Sequence, residues 1–482
     1  MSKASILKEI NTQRVLDVIE AKKTVSLEAL KQIIQENDAN GKYTLVDFEK
    51  RIRASKMSIM AEVKRASPSK KDIAPHINAA KQGLLYARAG AAAISCLTEP
   101  KWFKGSIQDL RDIRDAIDGL ENRPALLRKE FIVDPYQIYE ARAYGADTLL
   151  LIVASLEEAD LVSYLKTSRE LGMEPLVEVA NESEMKIALK VGAKVIGVNN
   201  RNLHTFTVDN GTTERVTKGV DMNEKTICAL SGISKRSDVE LFEKVGARAV
   251  LVGEALMRSP NPMNKINELK GVPITYVKIC GIKNVEDALA TVEAGADFIG
   301  LVFASKSKRL VSVELAKEIT KRIHTRSDVG ITAKQSNTPT FEKSSASDTK
   351  ADAWYTECAK KWDAILKVKT PLVVGVFADQ DIDEVNRIAA EVDLDVIQFS
   401  GDEPFDVCLK ACRPAWKAVH VGNDAPDDVL KRFVPSTATC VLLDTRDPSA
   451  KGGTGKKFDW SIAASLPVPI ILAGGLDPIN VS

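Results

Sequence analysis

The chain has 482 residues, of which 44% are apolar and 28% are charged, a composition typical of globular proteins. The 67 Lys and Arg residues balance 66 Asp and Glu residues. The net charge is therefore too small to attract nucleic acid or an anionic membrane through the electrostatic field of the whole protein. No apolar run approaches the roughly 18 residues of a membrane span, and the N-terminus lacks the apolar core of a signal peptide. We therefore expect a cytoplasmic protein of two or three domains, without nucleic-acid or membrane partners.

Cysteine and histidine usage limits the metal and redox chemistry. The seven cysteines are odd in number, scattered and without CxxC spacing, and there are only four histidines. This pattern argues against a disulfide framework and against zinc. We expect no metal and no cofactor.

From residue 58 to residue 256 one unit recurs: a short apolar run, a polar turn and an amphipathic helical segment. Its eight runs are "SIMAEVKR", "AAISCLTE", "ALLRKEFI", "TLLLIVA", "EPLVEVA", "VIGVNNR", "KTICALSG" and "AVLVGEAL". Helix-linked strands at this spacing indicate parallel pairing through right-handed crossovers. Eight such units predict a (β/α)8 barrel, with residues 1 to about 48 as additional helical sequence.

A second series follows a linker at residues 270–274. Its seven runs are "YVKICG", "FIGLVF", "LVVGVFA", "VIQFSG", "WKAVHV", "CVLLDT" and "IILAGG". Between the second and third runs, residues at about 325–352 are rich in Ser, Thr, Lys and Asp, which predicts a disordered insertion. The predicted fold class is therefore α/β, with two tandem (β/α)8 TIM barrels at 1–270 and 275–482. The second barrel is incomplete, with about seven strands present.

Ionisable and amide side chains fall at several strand ends of the first series. They are Glu62, Lys64, Lys129, Glu178 and Asn199. Each alone would be interpreted as a solvated group, but barrel enzymes place their chemistry at this end, where grouped Lys and Glu side chains take acid and base roles. The segments "SGIS" and "VGEA" add glycines next to helix starts, the usual phosphate seat of this fold. A phosphorylated substrate is predicted.

The motifs "IMAEVKRASPS", "LLRKEFIVDPYQI", "EPLVEV", "IGVNNRNL" and "SGIS" resemble those of indole-3-glycerol-phosphate synthase over residues 1 to about 270. The resemblance implies that 1-(2-carboxyphenylamino)-1-deoxyribulose 5-phosphate is closed to an indole with loss of carbon dioxide and water. It implies Lys129 as the general acid, Glu178 as the acid/base in dehydration, Lys64 as the holder of the departing carboxylate, and Glu62 and Asn199 as orienting groups. The implied substrate-binding residues are Ser67, Arg201, Ser231, Gly232 and Gly253 near the phosphate and Phe103 against the aromatic ring.

Two positions depart from that family. Leu230 stands where several members carry an acidic residue, which either places more of the acid/base role on Glu178 and Glu62 or indicates a subfamily that never used a carboxylate on the seventh strand. Glu254 stands where many have Ser, which leaves the phosphate contact there to the Gly253 backbone.

In the second series, Lys278 and Cys280 share strand parity, and a cation beside a thiol favours the thiolate. Burial is the common interpretation of a lone strand cysteine. As a base, Cys280 would pair with an acid at Asp444, an arrangement that suits an aldose to ketose isomerisation.

The motifs "KICGIKNVEDA", "GLVFASKSKR", "LLDT" and "GGTGKKFDW" resemble phosphoribosylanthranilate isomerase over residues 275–482. The resemblance implies Cys280 as general base, Asp444 as general acid and Arg309 as the anchor for the anthranilate carboxylate. The implied phosphate-site residues are Gly453, Gly455, Gly474 and Gly475. That family usually has His where Ser400 stands, and its members continue past Gly475 through a further strand and helix, so we expect a truncated isomerase domain.

Three interpretations stay open. The first is a bifunctional tryptophan-pathway enzyme acting on small phosphorylated anthranilate-ribose substrates. The resemblance allows its association or fusion with a glutamine amidotransferase or anthranilate synthase component. The second is a synthase whose second barrel is an inert structural or docking domain. The third is a histidine-pathway isomerase, but those rely on paired aspartates at the ends of the first and fifth strands, where this chain has Glu62 with Lys64, and Glu178.

Overall fold

The computed structural model describes residues 6–201, 207–325, 341, 350–366, 369, 371–447, 455–477 and 480. The chain divides into two compact units, Met1–Ile274 and Thr275–Ser482. Each unit is built around its own parallel sheet.

The first unit is a closed barrel. Its strands are β1 (Ser58–Val63), β2 (Ala66–Ser67), β3 (Lys71–Asp72), β4 (Ala93–Leu97), β5 (Ala125–Lys129), β6 (Thr148–Ile152), β7 (Leu176–Val179), β8 (Val195–Asn199), β9 (Thr226–Leu230) and β10 (Ala249–Val252). Eight of them close in the order β1-β10-β9-β8-β7-β6-β5-β4, which confirms the predicted barrel. The antiparallel β2–β3 hairpin was not predicted.

The helices of the first unit surround the barrel and precede it. They are α1 (Ile6–Thr24), α2 (Leu27–Ala39), α3 (Phe48–Arg53), α4 (Ala79–Arg88), α5 (Ile107–Ile117), α6 (Tyr136–Ala143), α7 (Glu158–Glu170), α8 (Glu182–Lys190), α9 (Thr212–Val216), α10 (Arg236–Lys244), α11 (Glu254–Met257) and α12 (Pro262–Lys270). Several begin at side-chain caps, as where Asn78 and Ser106 accept backbone N–H groups of the first turn. Such caps supply partners for N–H groups that have none within the helix.

Two apolar layers follow from the alternation of side chains along each strand. One parity, for example Ile59 and Ala61 of β1, packs against the helices. The other parity, for example Met60 and Leu127, fills the barrel interior. Because the interior below is packed, polar side chains near the strand ends gather in one space above it.

The second unit is a seven-stranded parallel sheet. Its strands are β11 (Lys278–Cys280), β12 (Phe298–Val302), β13 (Leu372–Phe377), β14 (Val396–Phe399), β15 (Ala415–Val421), β16 (Cys440–Thr445) and β17 (Ile471–Leu472). They lie in chain order from β11 to β17, so all seven predicted runs are confirmed as strands. Its helices are α13 (Val285–Glu293), α14 (Val313–His324), α15 (Ala351–Leu366), α16 (Ile382–Val392), α17 (Val407–Lys410), α18 (Pro426–Leu430) and α19 (Ser461–Ala464).

The predicted insertion at about 325–352 lies almost wholly outside the described residues. The helix α15 begins at its end, and Trp362 of that helix packs edge-on against Phe298 and Trp416, with ring centroids 6.3 Å and 5.7 Å away. This helix therefore belongs to the packed core of the second unit.

Among the described residues, no helix is both long and apolar enough to cross a bilayer. The same residues contain no group of three or more His, Cys, Asp or Glu side chains placed to hold a metal ion.

Candidate functional site

A cavity of about 580 Å³ opens at the C-terminal ends of the first barrel's strands. It brings together all eleven residues predicted for this unit. They are Glu62, Lys64, Ser67, Phe103, Lys129, Glu178, Asn199, Arg201, Ser231, Gly232 and Gly253.

On one side of the cavity, a carboxylate lies between an amide and an ammonium group. Asn199, the last residue of β8, donates its side-chain N–H to Oε1 of Glu178 at 2.9 Å. Oε2 of Glu178 lies 3.8 Å from Nζ of Lys129, the last residue of β5. The Asn199 oxygen in turn accepts the backbone N–H of Arg201 at 3.0 Å. This chain fixes the Glu178 carboxylate and leaves one of its oxygens facing the lysine.

A second charged pair lies at the end of β1. Nζ of Lys64 donates to Oε1 of Glu62 at 2.5 Å, and Glu62 is buried. Burial alone would raise the pKa of Glu62, but the charges of Lys64, Lys129 and Arg201 outweigh it and hold the pKa below its ordinary value of 4.5. Glu62 is therefore an anion at neutral pH, in a site with excess positive charge.

Because Gly253 has no side chain, the Glu62–Lys64 pair can occupy the space next to it. A Cβ atom at residue 253 would lie 2.4 Å from Oε1 of Glu62 and 2.8 Å from Nζ of Lys64. Only glycine fits between β10 and the pair without displacing it.

The loop after β9 supplies the other predicted phosphate residues. Ser231 and Gly232 both have positive φ angles, 66° and 82°, and a Cβ atom at 232 would lie 2.3 Å from Oδ1 of Asn210. The backbone N–H of Ser234, further along, donates to Asp238 at 2.8 Å. An anion would therefore meet the Ser231–Gly232 part of this loop rather than the N–H of Ser234.

The Glu254 carboxylate contacts two cationic side chains, those of Lys70 and Arg258. Its Oε1 lies 3.7 Å from Nζ of Lys70 and accepts Nε of Arg258 at 3.0 Å. Both cations line the cavity. The departure at residue 254 thus places an ion cluster beside the Gly253 backbone.

Leu230 is accommodated by a second glycine. A Cβ atom at Gly197 would lie 2.7 Å from Cδ1 of Leu230. Leu230 is buried and lines the cavity together with Leu150 and Leu251. The end of β9 therefore contributes to an apolar floor, and the cavity has no carboxylate at this position.

The apolar wall includes parts that the sequence analysis missed. The Phe103 ring lies 6.0 Å from that of Phe131, and Ile6, Leu7 and Ile10 of α1 also line the cavity. The helical spacing of α1 was visible in the sequence, but nothing in it indicates which surface the helix covers.

A buried carboxylate beside Lys129 was also missed. Glu130 is 1% exposed, accepts the Thr98 hydroxyl at 2.8 Å, and lies 3.3 Å from Nε of Arg14 on α1. Burial raises the pKa of Glu130 above its ordinary value, although the charges of Arg14 and Arg128 oppose the shift. This pair ties α1 to the residue that directly follows Lys129 at the end of β5.

In the second unit, the structure places two predicted residues side by side. A guanidinium N–H of Arg309 donates to the backbone oxygen of Cys280 at 3.2 Å. A Cβ atom at Gly300 of the neighbouring strand β12 would lie 2.6 Å from Sγ of Cys280. The thiol therefore occupies space left by a glycine.

The other predicted residues of this unit form a separate group. A Cβ atom at Gly474 would lie 3.1 Å from Oδ1 of Asp444, and one at Gly475 would lie 2.9 Å from the Lys456 backbone oxygen. Gly455 is exposed with a positive φ of 71°, and Gly453 lies outside the described residues. Within the described part of the chain, no hydrogen bond or ion pair joins the Cys280 group to the Asp444 group.

Comparison with protein families assigns the barrel that carries this cavity. The model of indole-3-glycerol phosphate synthase matches residues 7–269. The chain belongs to the indole-3-glycerol phosphate synthase family. A second model, N-(5'phosphoribosyl)anthranilate (PRA) isomerase, matches residues 334–482, a range that includes strands β13 to β17 of the second sheet.

Curated relatives share one or both parts. A multifunctional tryptophan biosynthesis protein of Schizosaccharomyces pombe is 43% identical over 490 residues, which cover 99% of this chain and 61% of that protein. A tryptophan biosynthesis protein of Phytophthora nicotianae is 38% identical, with 99% and 89% covered. The indole-3-glycerol phosphate synthase of Dehalococcoides mccartyi is 42% identical, with 55% and 99% covered. The chain spans 61% to 65% of the length of three multifunctional relatives.

Proposed function

We propose that residues 1–270, in the first unit, convert 1-(2-carboxyphenylamino)-1-deoxyribulose 5-phosphate to indole-3-glycerol phosphate in tryptophan biosynthesis. The observation that carries this proposal is the cavity in which Lys129, Glu178 and Asn199 converge from three strand ends. The charges fit a substrate with a carboxylate and a phosphate, because Lys64, Lys129 and Arg201 all line the cavity.

The reaction needs one acid and one base. The aromatic carbon that bears the carboxylate attacks the ketose carbonyl carbon, and Lys129 gives a proton to the carbonyl oxygen. Carbon dioxide then leaves, and the electrons of its bond restore the aromatic ring. The new hydroxyl takes a second proton from Lys129, which solvent has reprotonated, and departs as water while Glu178 takes a proton from the adjacent methylene carbon. The 3.8 Å separation of Lys129 Nζ and Glu178 Oε2 allows the proton to return to the lysine.

The remaining polar residues bind and orient. Lys64 holds the carboxylate that is lost, and Glu62 and Asn199 orient the sugar hydroxyls. The phosphate lies against Ser67, Arg201, Ser231, Gly232 and the Gly253 backbone. The Phe103 ring packs against the aromatic ring. No step requires a cofactor.

The test is the formation of indole-3-glycerol phosphate and carbon dioxide from the purified chain and the carboxyphenylamino substrate. We expect both products in equal amounts. Absence of turnover in protein with a cooperative unfolding transition would refute the proposal.

We propose a second activity for residues 275–482, the isomerisation of N-(5-phosphoribosyl)anthranilate to the substrate of the first unit. The position of Cys280 beside Arg309 supports it, because a base and a carboxylate anchor would then face the same end of the substrate. Asp444 is the general acid, and Gly453, Gly455, Gly474 and Gly475 take the phosphate. Synthase turnover without isomerase turnover would favour the interpretation of the second unit as an inert domain.

The cellular setting follows as part of the same proposal. The protein acts in the cytoplasm on small phosphorylated anthranilate-ribose compounds, and it associates or is fused with a glutamine amidotransferase or anthranilate synthase component. Co-purification of glutamine-dependent anthranilate synthase activity with the tagged chain from its own cells tests this association.

A further inference from the structure

Glu99 is a fully buried carboxylate two residues after the end of β4. It is 0% exposed, and the chain that follows wraps around it. Oε1 accepts the backbone N–H of Lys101 at 2.9 Å, and Oε2 accepts those of Trp102 at 2.7 Å and Phe103 at 2.9 Å. Within the described part of the chain no cation forms an ion pair with Glu99. Its charge is therefore met by backbone N–H groups.

These bonds fix the position of Phe103 in the cavity wall. The Phe103 N–H is held by Glu99, and its backbone oxygen accepts the N–H of Ala66 at 3.2 Å. Its ring lies 6.0 Å from the Phe131 ring at an angle of 39°. The residue is thus restrained through its N–H, its carbonyl and its side chain.

The rest of the loop closes on the same residue. The N–H of Gly105 donates to the backbone oxygen of Glu99 at 2.9 Å. A Cβ atom at Gly105 would lie 1.9 Å from the backbone oxygen of Leu97, so the chain returns directly against the end of β4. The loop from Glu99 to Gly105 has little freedom to place Phe103 elsewhere.

We propose that Glu99 is a positioning residue for the aromatic-ring subsite of the synthase cavity. It holds Phe103 against Phe131, so that the two rings form the apolar face that takes the anthranilate ring. Glu99 does not line the cavity, so it acts through Phe103. The role needs a carboxylate, since glutamine would offer one acceptor oxygen and two N–H donors to three N–H groups. The proposal rests on the synthase function proposed above.

A double-mutant cycle tests the coupling. Glu99→Gln should raise the KM for the carboxyphenylamino substrate about tenfold while kcat stays within about threefold, because ring binding and not proton transfer is affected. Phe103→Leu should have the same signature. In the Phe103→Leu background, Glu99→Gln should raise KM by less than about twofold, since residues that act through one another are not additive.

The controls separate positioning from folding. Glu121→Gln, at an exposed residue, should change neither KM nor the unfolding midpoint. If Glu99→Gln does not fold, Glu99→Asp keeps the charge on a shorter side chain and should give an intermediate KM. An equal KM rise in both backgrounds, or a loss confined to kcat, would overturn the proposal.

A binding measurement keeps the two proposals apart. Titration with anthranilate, followed by the ligand's own fluorescence, needs no turnover. Weaker binding to Glu99→Gln than to the unsubstituted chain supports the ring subsite even if synthase turnover is absent, in which case only the proposed function fails. Equal binding to both proteins would refute the role of Glu99.

Discussion

The side-chain N–H of Asn199 holds Oε1 of Glu178 at 2.9 Å. Because that oxygen is occupied, the other oxygen, 3.8 Å from Nζ of Lys129, is the one that can exchange a proton with the lysine or the substrate. The division of work between the two carboxylate oxygens therefore depends on an amide from the neighbouring strand β8.

Asn199→Asp should disturb this division most. It replaces the N–H donor by a second carboxylate, and two adjacent carboxylates raise the pKa of one of them. We expect kcat to fall roughly 10- to 100-fold and the acid limb of the kcat–pH profile to move to higher pH. Asn199→Ala removes the donor without adding charge, so it should lower kcat and move that limb less than Asn199→Asp does. Identical profiles for the two variants would contradict the assignment.

Lys129→Met should abolish indole formation. A general acid contributes about 10²- to 10⁴-fold, and methionine fills a similar volume without a proton to give. Steady-state assay of the product measures the loss, and calorimetry should show an unchanged fold. Lys166→Met, at a lysine side chain that is 76% exposed, is the control. Turnover of Lys129→Met near that of the control would exclude Lys129 as the acid.

Lys64→Gln should change the pH dependence of stability through Glu62. In the unsubstituted protein the pKa of Glu62 is depressed, so its contribution to stability is present above the unfolded pKa and is lost as pH falls through the folded pKa. Without Lys64, burial is less opposed and the pKa rises. We expect the unfolding midpoint to fall by roughly 2 to 8 °C at pH 7, and the deficit to shrink as the pH approaches 4.

Lys104→Gln is the matched control for that experiment. Lys104 pairs with Asp72 at the same 2.5 Å separation, but both side chains are about half exposed. Exposed pairs contribute about 0 to 1 kcal/mol, so the midpoint should hardly change. A deficit for Lys64→Gln that stays constant with pH would show that Glu62 is not the responsible group.

Arg14→Met should destabilise the first unit with the same pH trend, although the pKa of Glu130 is already raised in the unsubstituted protein. Burial raises the pKa of Glu130, so the stability that this group contributes is present below its unfolded pKa and is lost as pH rises through the folded pKa. Removal of Arg14 raises the pKa further. The midpoint should therefore fall by roughly 5 to 15 °C at pH 8 and by less at pH 4.5.

Arg215→Met provides the comparison for Arg14. Arg215 pairs with Asp209 at 2.7 Å where both side chains are more than half exposed, and we expect little change at either pH. A deficit for Arg14→Met that is as large at pH 4.5 as at pH 8 would show that lost packing, and not the Glu130 charge, is the cause.

Gly300→Ala should impair only the second activity. Its new methyl would lie 2.6 Å from Sγ and 3.0 Å from Cα of Cys280, so the thiol must move. We expect isomerase turnover to fall at least about tenfold with synthase turnover unchanged. Cys280→Ala should remove isomerase turnover and also leave the synthase intact. A shared loss of both activities would indicate one composite site.

The barrel strands were predictable because each apolar run is buried on both faces, which gives a continuous signal in the sequence. The strand-end residues were predictable for a related reason, since their place follows from the end of each run. The hairpin of β2 and β3 has two residues per strand, too few for any periodicity. The packing of Leu230 against Gly197 is a contact between two different strands, and the order of residues along the sequence does not show which strands are neighbours.

Buried carboxylates were the least predictable part of the site. Glu99 and Glu130 each closely follow a strand, in segments rich in Lys and aromatic residues. From the sequence alone, both are predicted to be exposed polar residues of loops. Their burial depends on backbone N–H groups and on Arg14, whose position is set by the fold of α1 over the loops. Only the three-dimensional path of the chain shows that these charges are enclosed.

Residue 253 must lack a side chain for the Glu62–Lys64 pair to keep its position. The volume that a side chain at residue 253 would fill is taken by the ends of Glu62 and Lys64. The size of the side chain therefore decides which substitutions are tolerated at this position. Even a methyl group would displace the charged ends of Glu62 and Lys64, whose strand β1 neighbours β10 in the barrel but lies almost 200 residues away in sequence. A scan of this residue would report on the acid and base chemistry without replacing any group that performs it.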